Sequence, residues 1–343
     1  MTYRTVAPKR WCIVGLGSMG KRRVRNLHAL GYRSVVGVDV RDDRRSEARD
    51  RYGIEVTPDL GSGLEGADAV VVSLPPDLHV GAATAAVRAG LPVFCEASVT
   101  DDGLAELEAL ARDRGVVVFP SCTMRYFPAP QCIRAMVAEG PLGRPLFFTY
   151  HSGQFLPDWH PWERITDYYV SNPATGGCRE IVPFELAWLT WVFGEVTDVA
   201  GYVGRSGELG IPLDDRYHVE LGFASGVRGA LTVDVLSRPA VRAMRVVGTA
   251  GTLRWDEGGV FTSDGRAGWR EHAIDTGTRE SGYINPEEPY QQEMRDFVRC
   301  LERGEAPAYD VCADRRVLAT LYAIERSART GCRLTRAAGE WPA

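Results

Sequence analysis

The sequence predicts an α/β protein: a doubly wound parallel sheet at the N-terminus, then an α+β domain with a large open, mostly antiparallel sheet. Three observations predict it. Short apolar runs alternate with helical patterns over the first 120 or so residues, as in a parallel sheet with helices on both faces. A glycine-rich turn, Gly15-Leu16-Gly17-Ser18-Met19-Gly20, joins the first apolar run to the first helical pattern. Beyond about residue 125, residues of period two separated by tight turns replace that alternation. The length of 343 residues suits two domains, which we place at 1–124 and 125–343.

The N-terminal elements follow in order. Trp11-Cys12-Ile13-Val14 is a strand ending at Gly15, and Lys21 to Leu30 is a helix closed by Gly31. Ser34-Val35-Val36-Gly37-Val38 is a second strand ending at Asp39. Ala67 to Ser73 is a buried type of strand, broken by Leu74-Pro75-Pro76-Asp77 and followed by a helix from about Leu78 to Ala89. Pro92-Val93-Phe94-Cys95 ends at Glu96, a helix runs from Asp102 to Arg114, and Val116-Val117-Val118-Phe119 is the next strand.

In such a sheet, ligands bind beyond the carboxyl ends of the strands. Each glycine of the turn then has a task. Gly15 permits the tight turn, Gly17 lets a pyrophosphate approach the backbone, and Gly20 lets the helix pack on the strand. Ser18 and Met19 open a helix whose free N–H groups and positive dipole end suit phosphate. Asp39 is placed to accept from the adenosine ribose hydroxyls and to repel a 2′-phosphate, so NAD is expected over NADP. Arg41, Arg44 and Arg45 lie nearby and soften that preference. The expected cofactor contacts are Gly15, Gly17, Ser18, Met19, Gly20, Asp39, Arg41, Ser73, Leu74, Pro75, His79, Glu96 and Ala97.

In the second half, Pro145 to His151 reads as a strand. Tyr217, Val219, Leu221 and Phe223 alternate, turn at Ser225-Gly226, and resume as Leu231, Val233 and Val235. Met244, Val246 and Gly248 to Leu253 form another hairpin. Ile181 to Phe193 is apolar almost all round, which predicts a helix buried between the two domains. Amphipathic patterns from Tyr290 to Leu301 and from Asp314 to Ser327 close the chain. A sheet with one free face is a common self-association surface, so a homodimer or homotetramer is expected.

Composition excludes several classes. A net charge of −5 leaves no basic footprint for nucleic acid. No apolar run is long enough to span a membrane. Met1-Thr2-Tyr3-Arg4 carries no apolar leader, which reads as cytoplasmic. The eight Cys form no framework and are expected reduced and mostly buried. The six His show no ligand spacing, so no metal is expected.

Taken together, these residues resemble the Gfo/Idh/MocA family, named for glucose–fructose oxidoreductase and inositol dehydrogenase. The resemblance is strongest in Gly15 to Gly20, in Ala67 to His79 and in Ala89 to Glu96; Gly176-Gly177 and Gly248 to Thr252 continue it. It implies hydride transfer between a nicotinamide and the carbinol or carbonyl carbon of a sugar, cyclitol or similar small molecule. Two departures stand out. The family usually carries Glu-Lys-Pro, whose Lys assists proton transfer, where this chain has Glu96-Ala97-Ser98. The family's Asp and His, four residues apart on the buried helix, correspond to Glu180 and Phe184.

A different group must therefore move the proton. Glu180 is the first candidate, because a carboxylate at the start of a buried helix can have a raised pKa. Five residues on, Glu185 lies about 140° away round a regular helix and cannot share its pocket. Pro183 suits a first helical turn, which sets Glu180 at or just before the helix start. His160 is second, since imidazole titrates near neutrality, and Trp159 and Trp162 beside it suit a sugar-stacking wall. Tyr168 and Tyr169 offer phenols: Tyr169 as a catalytic donor, Tyr168 as a substrate contact. Arg125, after the last strand of the first sheet, suits an anionic substrate group. The expected function is NAD(H)-dependent interconversion of alcohol and ketone on a sugar, nucleotide-sugar or cyclitol-type substrate. Two alternatives stand beside it: an epimerase or eliminase with transient oxidation, and a nucleotide-binding regulatory protein without catalysis.

Overall fold

The first six strands alternate with helices and end where the glycines and acids stand. The computed structural model describes residues 3–275, 277–280 and 285–342; Met1 and Thr2 of the opening tetrapeptide lie outside them. The elements are β1 (Arg10–Val14), α1 (Ser18–Ala29), β2 (Ser34–Val38), α2 (Asp42–Tyr52), β3 (Glu55–Thr57), α3 (Leu60–Leu64), β4 (Ala69–Val72), α4 (His79–Arg88), β5 (Val93–Cys95), α5 (Leu104–Arg114) and β6 (Val118–Pro120). The strands form one sheet in the order β3-β2-β1-β4-β5-β6, every pairing parallel. Strands buried on both faces need no alternation, which is why β1, β4 and β5 read as continuous apolar runs. The chain order reverses between β1 and β4, the switch point at which ligands bind in such sheets.

The next elements are α6 (Pro128–Glu139), β7 (Pro145–Phe155), α7 (Cys178–Phe193), β8 (Val196–Gly204), β9 (Arg216–Phe223), β10 (Arg228–Asp234), β11 (Leu236–Gly248), β12 (Thr252–Asp256), β13 (Gly259–Ser263) and β14 (Arg270–His272). They are followed by α8 (Glu288–Arg303), α9 (Val311–Thr330) and β15 (Leu334–Thr335). The second sheet has the order β14-β13-β12-β11-β7-β10-β9-β8-β15 and is antiparallel except between β7 and β10. Along β7, Phe148, Tyr150 and Ser152 are buried while Thr149 is exposed and His151 half-exposed, so one face is covered and one is open. Helix α7 packs on the covered face against β9 and β10.

The compact units are discontinuous. The described residues up to Tyr126 join Gly277–Arg315, and the rest form the second unit, whereas the sequence reading set one boundary at 124/125. The cause is the apolar stripe of α8: Met294, Phe297, Val298 and Leu301 enter the core of Trp11, Ile13, Leu27 and Phe94. Three local differences also arise. Helix α1 starts at Ser18, directly on the glycine turn, rather than at Lys21. Helix α7 starts at Cys178 after Gly177, whose φ of 59° suits glycine, so Glu180 lies in its first turn. Pro183 therefore sits inside the helix, beyond that turn. Edge strand β3 is only three residues long, too short to show a period in the sequence.

Candidate active site

In the first unit the glycine turn is shaped by close approach. Gly15 has φ +94°, and a Cβ there would lie 2.4 Å from the Ser73 carbonyl oxygen at the end of β4. A Cβ on Gly20 would lie 1.8 Å from the Gly15 carbonyl oxygen. Gly17 is different: a Cβ there would meet only Arg44 Nη1, at 3.7 Å, so its backbone is open. No side chain caps α1 at Gly17. A tight crossover, an open central glycine and an uncapped helix start fit a dinucleotide pyrophosphate.

Asp39 is buried beside this turn. Its Oδ2 accepts from Leu16 N–H at 2.8 Å and its Oδ1 from Arg41 N–H at 2.9 Å, so the carboxylate ties β2 to the glycine turn. Each oxygen keeps a second lone pair for a ribose hydroxyl. The Arg41 guanidinium donates to Asp43 at 2.6 Å and is turned onto that acid. Arg44, whose Nη1 is 3.7 Å from Asp39 Oδ2, is the guanidinium nearer the glycines.

Glu96, at the end of β5, is held rigidly. Arg23 of α1 donates Nε to Oε1 at 2.7 Å and Nη2 to Oε2 at 3.0 Å. Ser73 Oγ donates to the same Oε1 at 3.3 Å. Arg23 is fully buried and also donates to Glu293 of α8 at 3.0 Å. Glu293 in turn accepts from Ser121 Oγ, Cys122 N–H and Thr123 Oγ1. Sequence reasoning missed Arg23 and Glu293; only their charges inside otherwise apolar helix faces signalled them. His79 pins the turn after β4, with Nε2 2.8 Å from the Leu74 carbonyl oxygen, and burial pushes its pKa down. That places His79 behind Leu74-Pro75 as a support. Arg125 lies over the Tyr309 ring at 4.5 Å.

In the second unit the candidates His160, Trp162, Tyr168, Tyr169 and Glu180 form one linked group. Tyr169 Oη donates to Glu180 Oε1 at 2.9 Å. Glu180 Oε2 is sealed from solvent and meets no hydrogen-bond partner. Burial lifts the Glu180 carboxyl from 4.5 to about 7, against a smaller lowering by the Tyr169 hydrogen bond. Tyr168 packs edge-on to Tyr169 with centroids 5.9 Å apart, and stacks on His160 at 4.7 Å. His160 stacks on Trp162 at 5.1 Å, and its Nδ1 lies 3.0 Å from Glu163 Oε2. Burial, and then the nearby carboxylates of Glu163 and Glu180, push the Tyr168 phenol up to about 12. Tyr168 Oη and Trp159 Nε1 are buried without hydrogen-bond partners. Trp162 is 68% exposed, so an apolar ring faces solvent at the end of this stack.

Glu185 points elsewhere, as the helical angle requires. It is fully buried and accepts from Tyr150 Oη at 2.8 Å, Ser152 Oγ at 2.9 Å, Trp188 Nε1 at 2.6 Å and Arg242 Nη2 at 2.8 Å. With four donors its carboxylate is saturated, so its work is to tie α7 to β7 and β11.

The parallel sheet with its switch-point glycines and acid-terminated second strand defines an NAD-binding oxidoreductase of the Rossmann class. The chain belongs to the GFO/IDH/MocA family. Residues 9–121 match the model for "Oxidoreductase family, NAD-binding Rossmann fold", and residues 131–254 match that for the "GFO/IDH/MocA C-terminal domain". It is similar to the bovine (Bos taurus) trans-1,2-dihydrobenzene-1,2-diol dehydrogenase, 29% identical over 71% of this chain and 72% of that one. It is 25% identical to a D-xylose 1-dehydrogenase (NADP(+)) of Haloferax volcanii, over 93% of this chain and 97% of that one. A levoglucosan dehydrogenase in complex with NADH shares the fold, with a TM-score of 0.81 at 18% identity over 94% of this chain and 98% of that one. The chain is thus an NAD(P)-dependent oxidoreductase. Among the described residues no helix is long and apolar enough to cross a membrane.

Proposed function

We propose that the chain interconverts alcohol and ketone on a sugar, nucleotide-sugar or cyclitol-type substrate, with NAD(H) as cofactor and Glu180 as acid/base. The observation that carries this reading is the Glu180 carboxyl itself. Held through Oε1 by Tyr169, it keeps Oε2 unpartnered and titrates at about 7. A general base works best with a pKa near the operating pH, and such a group contributes roughly 10²–10⁴-fold.

Bound nicotinamide supplies the hydride acceptor or donor. The chain's own residues bind and move the proton. Gly15, Gly17, Ser18, Met19 and Gly20 would receive the pyrophosphate, and Asp39 the adenosine ribose. Ser73, Leu74, Pro75, Glu96 and Ala97 would border the nicotinamide end, with His79 supporting that border. In the oxidising direction, Glu180 would take the hydroxyl proton of the carbinol at Oε2. Tyr169 would steady the ionised carboxylate with its single O–H, and would turn that O–H to the substrate oxygen once Glu180 is protonated. Tyr168, His160, Trp159 and Trp162 would form the stacking wall, and Arg125 would hold an anionic group when the substrate carries one. The names of the relatives above support the substrate class: a dihydrodiol and a pentose both present a secondary carbinol beside a second hydroxyl or ring oxygen.

The open face of the second sheet supports self-association into a homodimer or homotetramer. It exposes Phe147 and Tyr202 at 47% and 53% and carries a shallow hollow lined by Thr149, His151, Thr232, Arg245 and Arg254.

The test is Glu180→Gln. Turnover falls at least about tenfold while NADH affinity is unchanged. An unchanged rate removes Glu180 from the mechanism.

A further inference from the structure

One buried guanidinium ties α1 and α8 to the carboxyl ends of β4, β5 and β6. Arg23 stands on α1, just past Gly20 of the glycine turn. Its side chain and that of Glu293 are fully buried, and the Glu96 side chain is 14% exposed. The pair with Glu96 is bidentate: Nε and Nη2 donate to different carboxylate oxygens, which fixes the plane of the carboxylate. Nη2 also donates to Glu293 Oε2 at 3.0 Å, and Nη1 lies 3.5 Å from the Tyr290 carbonyl oxygen. From Glu96 the tie runs on to β4, through Ser73 Oγ at 3.3 Å, and the Ser73 carbonyl oxygen is the atom that crowds Gly15. From Glu293 it runs to the chain after β6, through Ser121 Oγ at 3.0 Å, Cys122 N–H at 2.7 Å and Thr123 Oγ1 at 2.8 Å.

We propose that Arg23 is a positioning residue for the nicotinamide half of the cofactor, given that Ser73, Glu96 and Ala97 border that half as proposed above. It sets the segments after β4, β5 and β6 at a fixed place relative to the turn that receives the pyrophosphate. Stability alone does not call for this arrangement. The guanidinium lies 4.4 Å from the Phe94 ring centroid and 5.5 Å from that of Tyr290. An apolar side chain would fill the space between those rings without taking a guanidinium and two carboxylates out of water. It would not orient Glu96. The contacts of Arg23 also gather at the carboxyl ends of the strands, the ligand side of the sheet.

Lysine separates orientation from charge. Its ammonium leaves neither carboxylate without a counter-charge, but a point donor does not hold both Glu96 oxygens in one plane while reaching Glu293.

The experiment is calorimetric titration of the full chain with NADH and with ADP, which carries the adenosine and both phosphates but no nicotinamide half. Arg23→Lys binds NADH at least about fivefold more weakly than the unsubstituted chain does, and binds ADP within about twofold of it. The ratio of the two affinities is the readout, because a loss of competent protein lowers both alike and leaves the ratio where it was. Glu293→Gln cuts the second arm and leaves Arg23 on Glu96; it lowers the same ratio about threefold and replaces Arg23→Lys as the readout if that variant does not fold. An unchanged ratio in Arg23→Lys, or in Glu293→Gln in its place, overturns the proposal, whether both affinities hold or both fall together. If the unsubstituted chain binds NADH no more tightly than ADP, these strand ends do not receive the nicotinamide half, and the reading beneath the proposal falls with it.

Discussion

Replacing Glu180 by Gln is predicted to make the protein more stable at alkaline pH while it loses turnover. Burial raises the Glu180 carboxyl from 4.5 to about 7. A tenfold change in proton affinity is about 1.4 kcal/mol, so ionised Glu180 costs the native state about 3 kcal/mol at pH 8. The sign follows from proton counts. Between pH 4.5 and pH 7 the native state binds more protons than the unfolded one, so stability falls as pH rises through that window. Below it both states are protonated and the cost disappears. Gln removes the titration and keeps an acceptor for Tyr169. It also places an amide N–H where Oε2 has no partner, a loss of about 1 kcal/mol. The net gain is about 2 kcal/mol at pH 8 and falls to nothing near pH 5. Urea unfolding of both proteins at pH 5, 6.5 and 8, followed by tryptophan fluorescence, measures it. A Gln variant no more stable at pH 8, or a gain that does not change with pH, refutes the reasoning.

Asp39→Ala is expected to weaken NADH binding and to narrow the gap between NADH and NADPH, both read by fluorescence titration; an unchanged preference contradicts the ribose assignment. Glu185→Ala leaves Arg242 uncompensated in the interior and is expected to cost roughly 3–5 kcal/mol in urea unfolding. A loss below about 1 kcal/mol would mean that this pair is solvated. Ala97→Lys is expected to give no strong gain of turnover, because Phe184 still stands where the family's imidazole would be. A strong gain would show that the rest of the site is conventional.

The first sheet was legible because its strands are continuous apolar runs and because Gly15 and Gly20 are forced, a Cβ at either falling within 2.4 Å of a backbone oxygen. The linked group from His160 to Glu180 was legible as a set of residue types, since aromatics and acids cluster within a short stretch of chain. What stayed hidden was long-range. Arg23 and Glu293 are 270 positions apart, and neither has a local pattern that names its partner. Phe297 meets Trp11 and Phe94 only because α8 returns to the first sheet, which also explains the discontinuous first unit. The start of α7 was misplaced because Pro183 favours a first turn, yet the chain tolerates it further in, where α7 is buried on its sheet. For the cofactor end, Arg41 was named on proximity alone, and Asp43 claims its guanidinium.

The pH dependence of kcat/KM for oxidation of a polyol substrate, in the original protein and in Glu180→Gln, tests the central claim most directly. The account predicts a rate that rises through an inflection near pH 7 in the original protein, and a low, flat profile in the Gln variant. The same inflection in both proteins, at comparable rates, would contradict it.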